Sequence, residues 1–144
     1  MTVASILRAK GLHVETIPPD TMLASVVWQL RVKGIGALVV VDDGGSVLGV
    51  ISERDIVYGL AEHGAGLLGM RASQVMNRAV ATCAPEDSIT RLMAQMSRNR
   101  IRHVVVTDDG RLHGIVSIGD VVKHRLDELQ LETEVLRETL IARR

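Results

Sequence analysis

Two stretches of this chain are the same unit written twice. Residues 16–44 overlay residues 82–110 at one constant offset, which aligns Thr16 with Thr82, Pro19 with Pro85, Gln29 with Gln95, Ile35 with Ile101, and Asp42-Asp43-Gly44 with Asp108-Asp109-Gly110. The register then slips by one residue, so that residues 49–55 lie over residues 114–120. The extra residue of the first copy falls beside Gly45, in a turn, where an insertion disturbs least. A duplicated unit that ends twice in Gly-x-x-Ser-x-x-Asp predicts a pseudo-symmetric body with two related pockets.

Each copy reads as β-α-β-β-α. In the first, residues 14–17 form a short strand, and Asp20 or Thr21 is placed to cap a helix whose apolar face is Leu23, Val26, Val27 and Leu30 and which Gly34 ends. The second copy repeats that face as Ile89, Leu92, Met93 and Met96. The apolar runs 37–41 and 104–106 are too short for helices and rich in β-branched side chains, hence buried strands. Asp-Asp-Gly turns the chain, residues 47–51 and 112–116 return as hairpin partners, and Ser52 and Ser117 start the closing helices. The expected fold class is a mixed α/β (α+β) body of two such repeats.

The expected organisation is a first repeat at 1–63, a glycine-rich linker at 64–71, a second repeat at 72–123 and a C-terminal helix at 124–144. Residues 72–76 resemble residues 4–7, so each copy has a lead-in turn. One copy alone, of about 60 residues, would leave much apolar surface exposed, and two packed through their sheets would share a core. In the last segment Val122, Leu126, Leu129, Thr133, Leu136 and Leu140 step alternately by four and three residues, an a/d seam that points to a partner helix in a homodimer or to a helix folded back over its own domain.

With 17 basic and 17 acidic residues the chain has no overall field to attract nucleic acid or an anionic membrane. No apolar run approaches the ~20 residues of a membrane span, and residues 1–8 lack a signal-peptide core, so a cytoplasmic protein is expected. His13, His63, His113 and His124 have no ligand spacing, which leaves no metal site to propose, and no Ser-His-Asp, Cys-His or paired-carboxylate arrangement marks an enzyme.

The repeated Ser-x-x-Asp carries the chemistry. A strand running into Ser52 and straight on into a helix aims the first free N–H groups and the hydroxyl at one point, which suits a phosphate oxygen. Asp55, one turn on, can accept two hydrogen bonds, the number that vicinal ribose hydroxyls donate, while Gly49 and Gly114 would let a ligand approach the strand without a Cβ in the way. The competing reading is a capping box, in which serine and carboxylate serve only the helix start.

On these motifs the chain resembles a tandem CBS-domain pair, named from cystathionine β-synthase, of the small stand-alone bacterial type. The resemblance runs from about Val3 to Lys123. It implies that the pair binds adenine nucleotides or other adenosyl compounds, AMP first and NAD(H) second, in clefts between the repeats, with no catalytic cofactor. It implies phosphate facing Ser52 and Ser117, ribose held by Asp55 and Asp120, base or phosphates bordered by Gly36, Ala37, Arg102 and His103, and adenine lined by Thr16, Ile17, Thr82 and Cys83. Arg54 of the first copy is replaced by Gly119, and Arg98, Arg100 and Arg102 stand where the first copy has Val32, Gly34 and Gly36, so the two sites should differ in affinity or ligand. With only Trp28 and Tyr58 as aromatics, aliphatic side chains would sandwich the base. The expected function is a regulatory nucleotide sensor that acts on an unidentified protein effector through ligand-dependent stabilisation or rearrangement of a homodimer. The alternative is a ligand-free dimerisation scaffold.

Overall fold

The structure, a computed structural model, describes residues 1–143. The order of elements is α1 (Val3–Lys10), β1 (Thr16–Ile17), α2 (Leu23–Lys33), β2 (Ala37–Val41), β3 (Val47–Ser52), α3 (Glu53–His63), a 3-10 helix (Gly64–Gly69), α4 (Ala72–Val75), β4 (Thr82–Cys83), α5 (Ile89–Asn99), β5 (His103–Asp108), β6 (Arg111–Ser117) and α6 (Ile118–Ala142). The β-α-β-β-α order therefore occurs twice. Each copy folds a three-stranded sheet, β1-β2-β3 and β4-β5-β6, in which the first pair is parallel and the second antiparallel. Strand β1 is only two residues long, shorter than expected.

The slip between copies is a difference in hairpin geometry. Asp109 and Gly110 both have positive φ, 51° and 75°, and form a two-residue loop between the paired Asp108 and Arg111. In the first copy Asp42 N–H bonds the Ser46 carbonyl across a three-residue loop in which Gly45 has φ 83°, and the Asp42 carboxylate accepts the N–H groups of Gly44 and Ser46.

Two apolar cores form, one under each sheet, rather than the one shared core expected. Leu23, Val26, Leu38, Val40 and Ile51 build the first, and Ile89, Leu92, Val104, Val106 and Val116 the second. Each core is completed by the other copy's lead-in. Val3, Ile6 and Leu7 of α1 lie in the second core, and Ala72 and Met76, at and just past α4, lie in the first. Backbone hydrogen bonds repeat the exchange: Ala4 N–H donates to the Pro85 carbonyl at 2.8 Å, and Ser73 N–H to that of Pro19 at 2.9 Å. Val39 and Val105, on the opposite faces of the central strands, are also buried, so each sheet is covered on both sides.

Two local expectations are corrected, both within helices. Neither Asp20 nor Thr21 caps α2. Met22 is its N-cap, and the N–H of Leu23 is taken by the Met70 carbonyl at 2.8 Å, so backbone replaces a side-chain cap. Met93 lies off the buried stripe of α5 and is 46% exposed, because Ile89, Leu92 and Met96 already fill the space under the sheet. The linker is built into the fold: Leu67 is fully buried in the first core, 2.7 Å from where a Cβ on Gly59 would stand, and residues 64–69 coil as a 3-10 helix. No helix among the described residues is long and apolar enough to cross a membrane.

Candidate functional site

Both Ser-x-x-Asp motifs sit where a hairpin strand passes into a helix. Ser52 ends β3 as the N-cap of α3, and Ser117 ends β6 as the N-cap of α6, each with an extended backbone. At the first, one carboxylate oxygen of Asp55 accepts the Ser52 N–H at 2.8 Å and its hydroxyl at 3.0 Å. At the second, Asp120 accepts the Ser117 N–H at 2.9 Å while Ser117 Oγ accepts the Asp120 N–H at 3.1 Å. Both pairs therefore cap their helices, and the capping role coexists with any ligand role.

The surroundings of the two motifs differ. A cavity of about 360 Å³ opens at the first, within the ~300–1,000 Å³ typical of small-molecule sites. It brings together Gly36, Ser52, Arg54 and Asp55 from the first copy with Arg102 and His103 from the second. Arg100 joins them, at the left-handed C-cap of α5 (φ 52°), and its carbonyl accepts a hydrogen bond from the Arg54 guanidinium at 3.0 Å. The cavity is thus a seam between the copies. Three arginines line it together with Glu53 and Asp55.

His103 forms one wall. Burial, then the nearby Lys10 ammonium, hold its pKa below the usual histidine value against the opposing pull of Glu53 and Asp120, so the ring is neutral at pH 7. A Cβ on Gly36 would lie 3.2 Å from that ring, and the glycine gives the imidazole its room.

Ala37, Thr16, Ile17, Thr82, Cys83, Ser117 and Asp120 are not among the residues around this cavity. Ala37, Ile17 and Cys83 are buried in strands, and Thr16 and Thr82 are exposed. Burial, with the Asp87 charge, pushes the Cys83 thiol up to about 11. The floor comes instead from residues the sequence reading passed over: Val50, and the run Ala79, Val80 and Ala81 that leads into β4. Their one signal was position, since small apolar residues directly before the first strand of a repeat fall beside the other copy's motif once the lead-ins cross.

Gly49 and Gly114 do not make room for a ligand. A Cβ on Gly49 would stand 2.7 Å from Met76 Sδ and 2.9 Å from the Asn77 carbonyl oxygen, and one on Gly114 2.8 Å from Leu7 Cδ2. Both glycines let the crossing lead-in lie flat on the edge strand, a packing requirement that looks the same in sequence as ligand access.

At the second motif a cation of the chain itself is present. Lys10 Nζ lies 2.7 Å from Asp120 Oδ2 and 2.7 Å from the Ile115 carbonyl oxygen. Burial is the largest influence on Asp120 and raises its pKa, but the hydrogen bond from Lys10, the Ser117 N–H and the Lys10 charge outweigh it and hold the carboxyl below its ordinary value. No cluster of three or more His, Cys, Asp or Glu side chains suited to a metal occurs among the described residues.

Comparison with known proteins agrees with this architecture. The profile of the CBS domain matches residues 4–62 and again 72–127. A mitochondrial CBS-domain-containing protein of Arabidopsis thaliana is 30% identical over 143 residues, covering 94% of this chain and 69% of its own length. The crystal structure of a CBS-domain-containing protein from Agrobacterium tumefaciens superposes with a TM-score of 0.84 at 42% identity, over 86% of this chain and 92% of that one. A CBS-domain pair solved in complex with 5′-methylthioadenosine and S-adenosyl-L-methionine superposes with a TM-score of 0.79 at 25% identity, over 89% of this chain and 98% of its own. With both repeats matched and both sheets reproduced, this chain belongs to the CBS-domain family and carries two copies of the domain in tandem.

Proposed function

We propose that the chain is a regulatory, non-catalytic module that binds one class of adenosyl ligand, an adenine nucleotide such as AMP, in the cavity between its two copies, and acts as a homodimer on a protein effector in the cytoplasm. The observation that carries this reading is the composition of the cavity wall. Ser52 and the start of α3 offer a hydroxyl and helix N–H groups, while Arg54, Arg100 and Arg102 offer guanidinium groups that pair bidentately with phosphate. Asp55 uses one carboxylate oxygen for Ser52, which leaves the other for ribose hydroxyls. Val50, Val80 and Ala81 are apolar and suited to the faces of a purine. A structural relative in complex with two adenosyl compounds supports the ligand class.

A second reading, a ligand-free dimerisation scaffold, is favoured by one observation: both Ser-Asp pairs are already satisfied as helix caps. Thermal melts against AMP, ADP, ATP, NAD, NADH and S-adenosylmethionine separate the two. A sensor gains RT ln(1 + [L]/Kd), about 2.7 kcal/mol at a hundredfold excess over Kd, and its midpoint rises with at least one of them. A scaffold melts at one temperature with all six.

A further inference from the structure

We propose that Lys10 closes the second cleft, so that this module holds one adenosyl ligand per chain, at Ser52 and Asp55, while the site its duplication would otherwise provide at Ser117 and Asp120 is occupied by its own lysine. The inference rests on the proposed ligand class and adds which of two related sites is open and what shuts the other.

The argument begins with the lengths of the two lead-ins. Helix α4 has four residues and α1 has eight. After the short helix the chain extends at once and Asn77 pairs with Val50 at the outer edge of β3, Asn77 N–H donating to the Val50 carbonyl at 2.9 Å and Val50 N–H to that of Asn77 at 3.0 Å. The residue of β6 that corresponds to Val50 is Ile115. There α1 continues for another turn, and the outward carbonyl of Ile115 is met by the Lys10 ammonium instead of by a backbone N–H. Gly114 allows this, because α1 lies so close to β6 that Leu7 fills the space of a Cβ.

The same ammonium ion-pairs with Asp120. In the open cleft the equivalent Asp55 has no cationic partner among the described residues and bonds to its own serine. A ribose that sought Asp120 would therefore have to displace a cation from two oxygen partners, one of them a carboxylate, and leave the Ile115 carbonyl without its donor. Each loss is unfavourable in a half-buried position. The closure is also charge-neutral, so the lysine is not a spare positive group awaiting phosphate. The arginines lie at the other cleft.

Calorimetric titration of the full chain with AMP, ATP and S-adenosylmethionine reads the stoichiometry. The expected results are one ligand per chain for the wild type, two for Lys10→Ala, and one for Lys10→Arg, which keeps a cation on both oxygens. Asp55→Asn abolishes binding, while Lys10→Ala with Asp55→Asn retains one site, which a further Asp120→Asn removes. A Lys10→Ala protein that still binds one ligand overturns the closure and leaves the sensor reading standing. So does a wild type that binds two and loses one on Lys10→Ala, since the lysine would then be serving the ligand. A chain that binds none of the probes in any of these forms overturns both.

Discussion

Two glycines show how much a single hydrogen in place of a Cβ decides here. Gly49 and Gly114 are equivalent by sequence, but a Cβ at Gly49 would meet a backbone carbonyl at 2.9 Å, whereas at Gly114 it would meet the tip of a leucine. A backbone atom cannot turn aside and a leucine can change rotamer. Gly49→Ala should therefore destabilise by about 2–3 kcal/mol and Gly114→Ala by about 1 kcal/mol, read from denaturant midpoints at constant m-value. Lys10 and Asp120 supply a second test at this scale. The folded-state pKa of Asp120 is depressed, so the stability it contributes is present above the carboxyl's ordinary value of 3.8 and is lost as pH falls through the lowered folded value. Lys10→Ala should cost about 1 kcal/mol at pH 7, the upper range for a partly exposed pair. The difference from wild type should shrink as pH drops through that acid window, down to what the bond to the Ile115 carbonyl contributes. A difference that stays constant down to pH 2 would mean that the lysine matters through the Ile115 carbonyl and packing, not through Asp120.

At the scale of elements, the exchange of lead-ins predicts where damage appears. Removing residues 1–10 takes Val3, Ile6 and Leu7 out of the second core and leaves the first core's residues in place. Hydrogen exchange should show lost protection across β4–β6 and α5, with β1–β3 much less affected; the reverse pattern would contradict the exchange. Sequence could not have shown this. The period-3.6 pattern of α2 and α5, the β-branched runs of β2 and β5 and the Asp-Asp-Gly turns are local signals, and each placed its element correctly. So did the slipped register, whose cause is a three-residue loop at Gly45 set against a two-residue loop at Asp109 and Gly110. Which sheet a lead-in covers is a long-range choice between two similar apolar faces, and no residue encodes it alone. The site was legible to the same degree. Ser52, Asp55 and the charge carried by Arg102 could be read from the repeat, whereas Val80 and Ala81 reach the cavity only because the lead-ins cross. The contact at the second motif was hidden for a similar reason, since its Ser-x-x-Asp is intact and the lysine that meets Asp120 lies more than a hundred positions away.

At the scale of the molecule, α6 is the part least explained by one chain. Its 25 residues extend roughly 37 Å at 1.5 Å per residue, and only its start is held to the body. Val121 is buried in the second core, and His124 and Glu128 face each other at 2.8 Å with side chains 18% and 11% exposed. Along the seam Leu126, Leu129, Leu136 and Leu140 are 44–64% exposed, so the helix does not fold back over its own domain. An apolar stripe of that length is stabilised by a partner rather than by helix propensity. Thr133 fits the same seam, because its hydroxyl donates to the Leu129 carbonyl at 2.9 Å and brings no unpaired donor into an apolar contact. Glu132 and Arg137 flank it at positions that would pair across two parallel helices, the arrangement the proposed homodimer would use. Ending the chain after Lys123 should then halve the mass measured by light scattering while leaving far-UV spectra of the remaining elements intact. If dimer geometry is what the ligand biases, the truncated protein should also bind its ligand with unchanged stoichiometry, because no cavity residue lies beyond Val105. An unchanged mass would move the dimer contact to the exposed apolar residues of the shorter helices, among them Trp28 and Tyr58, and remove α6 from the signalling path.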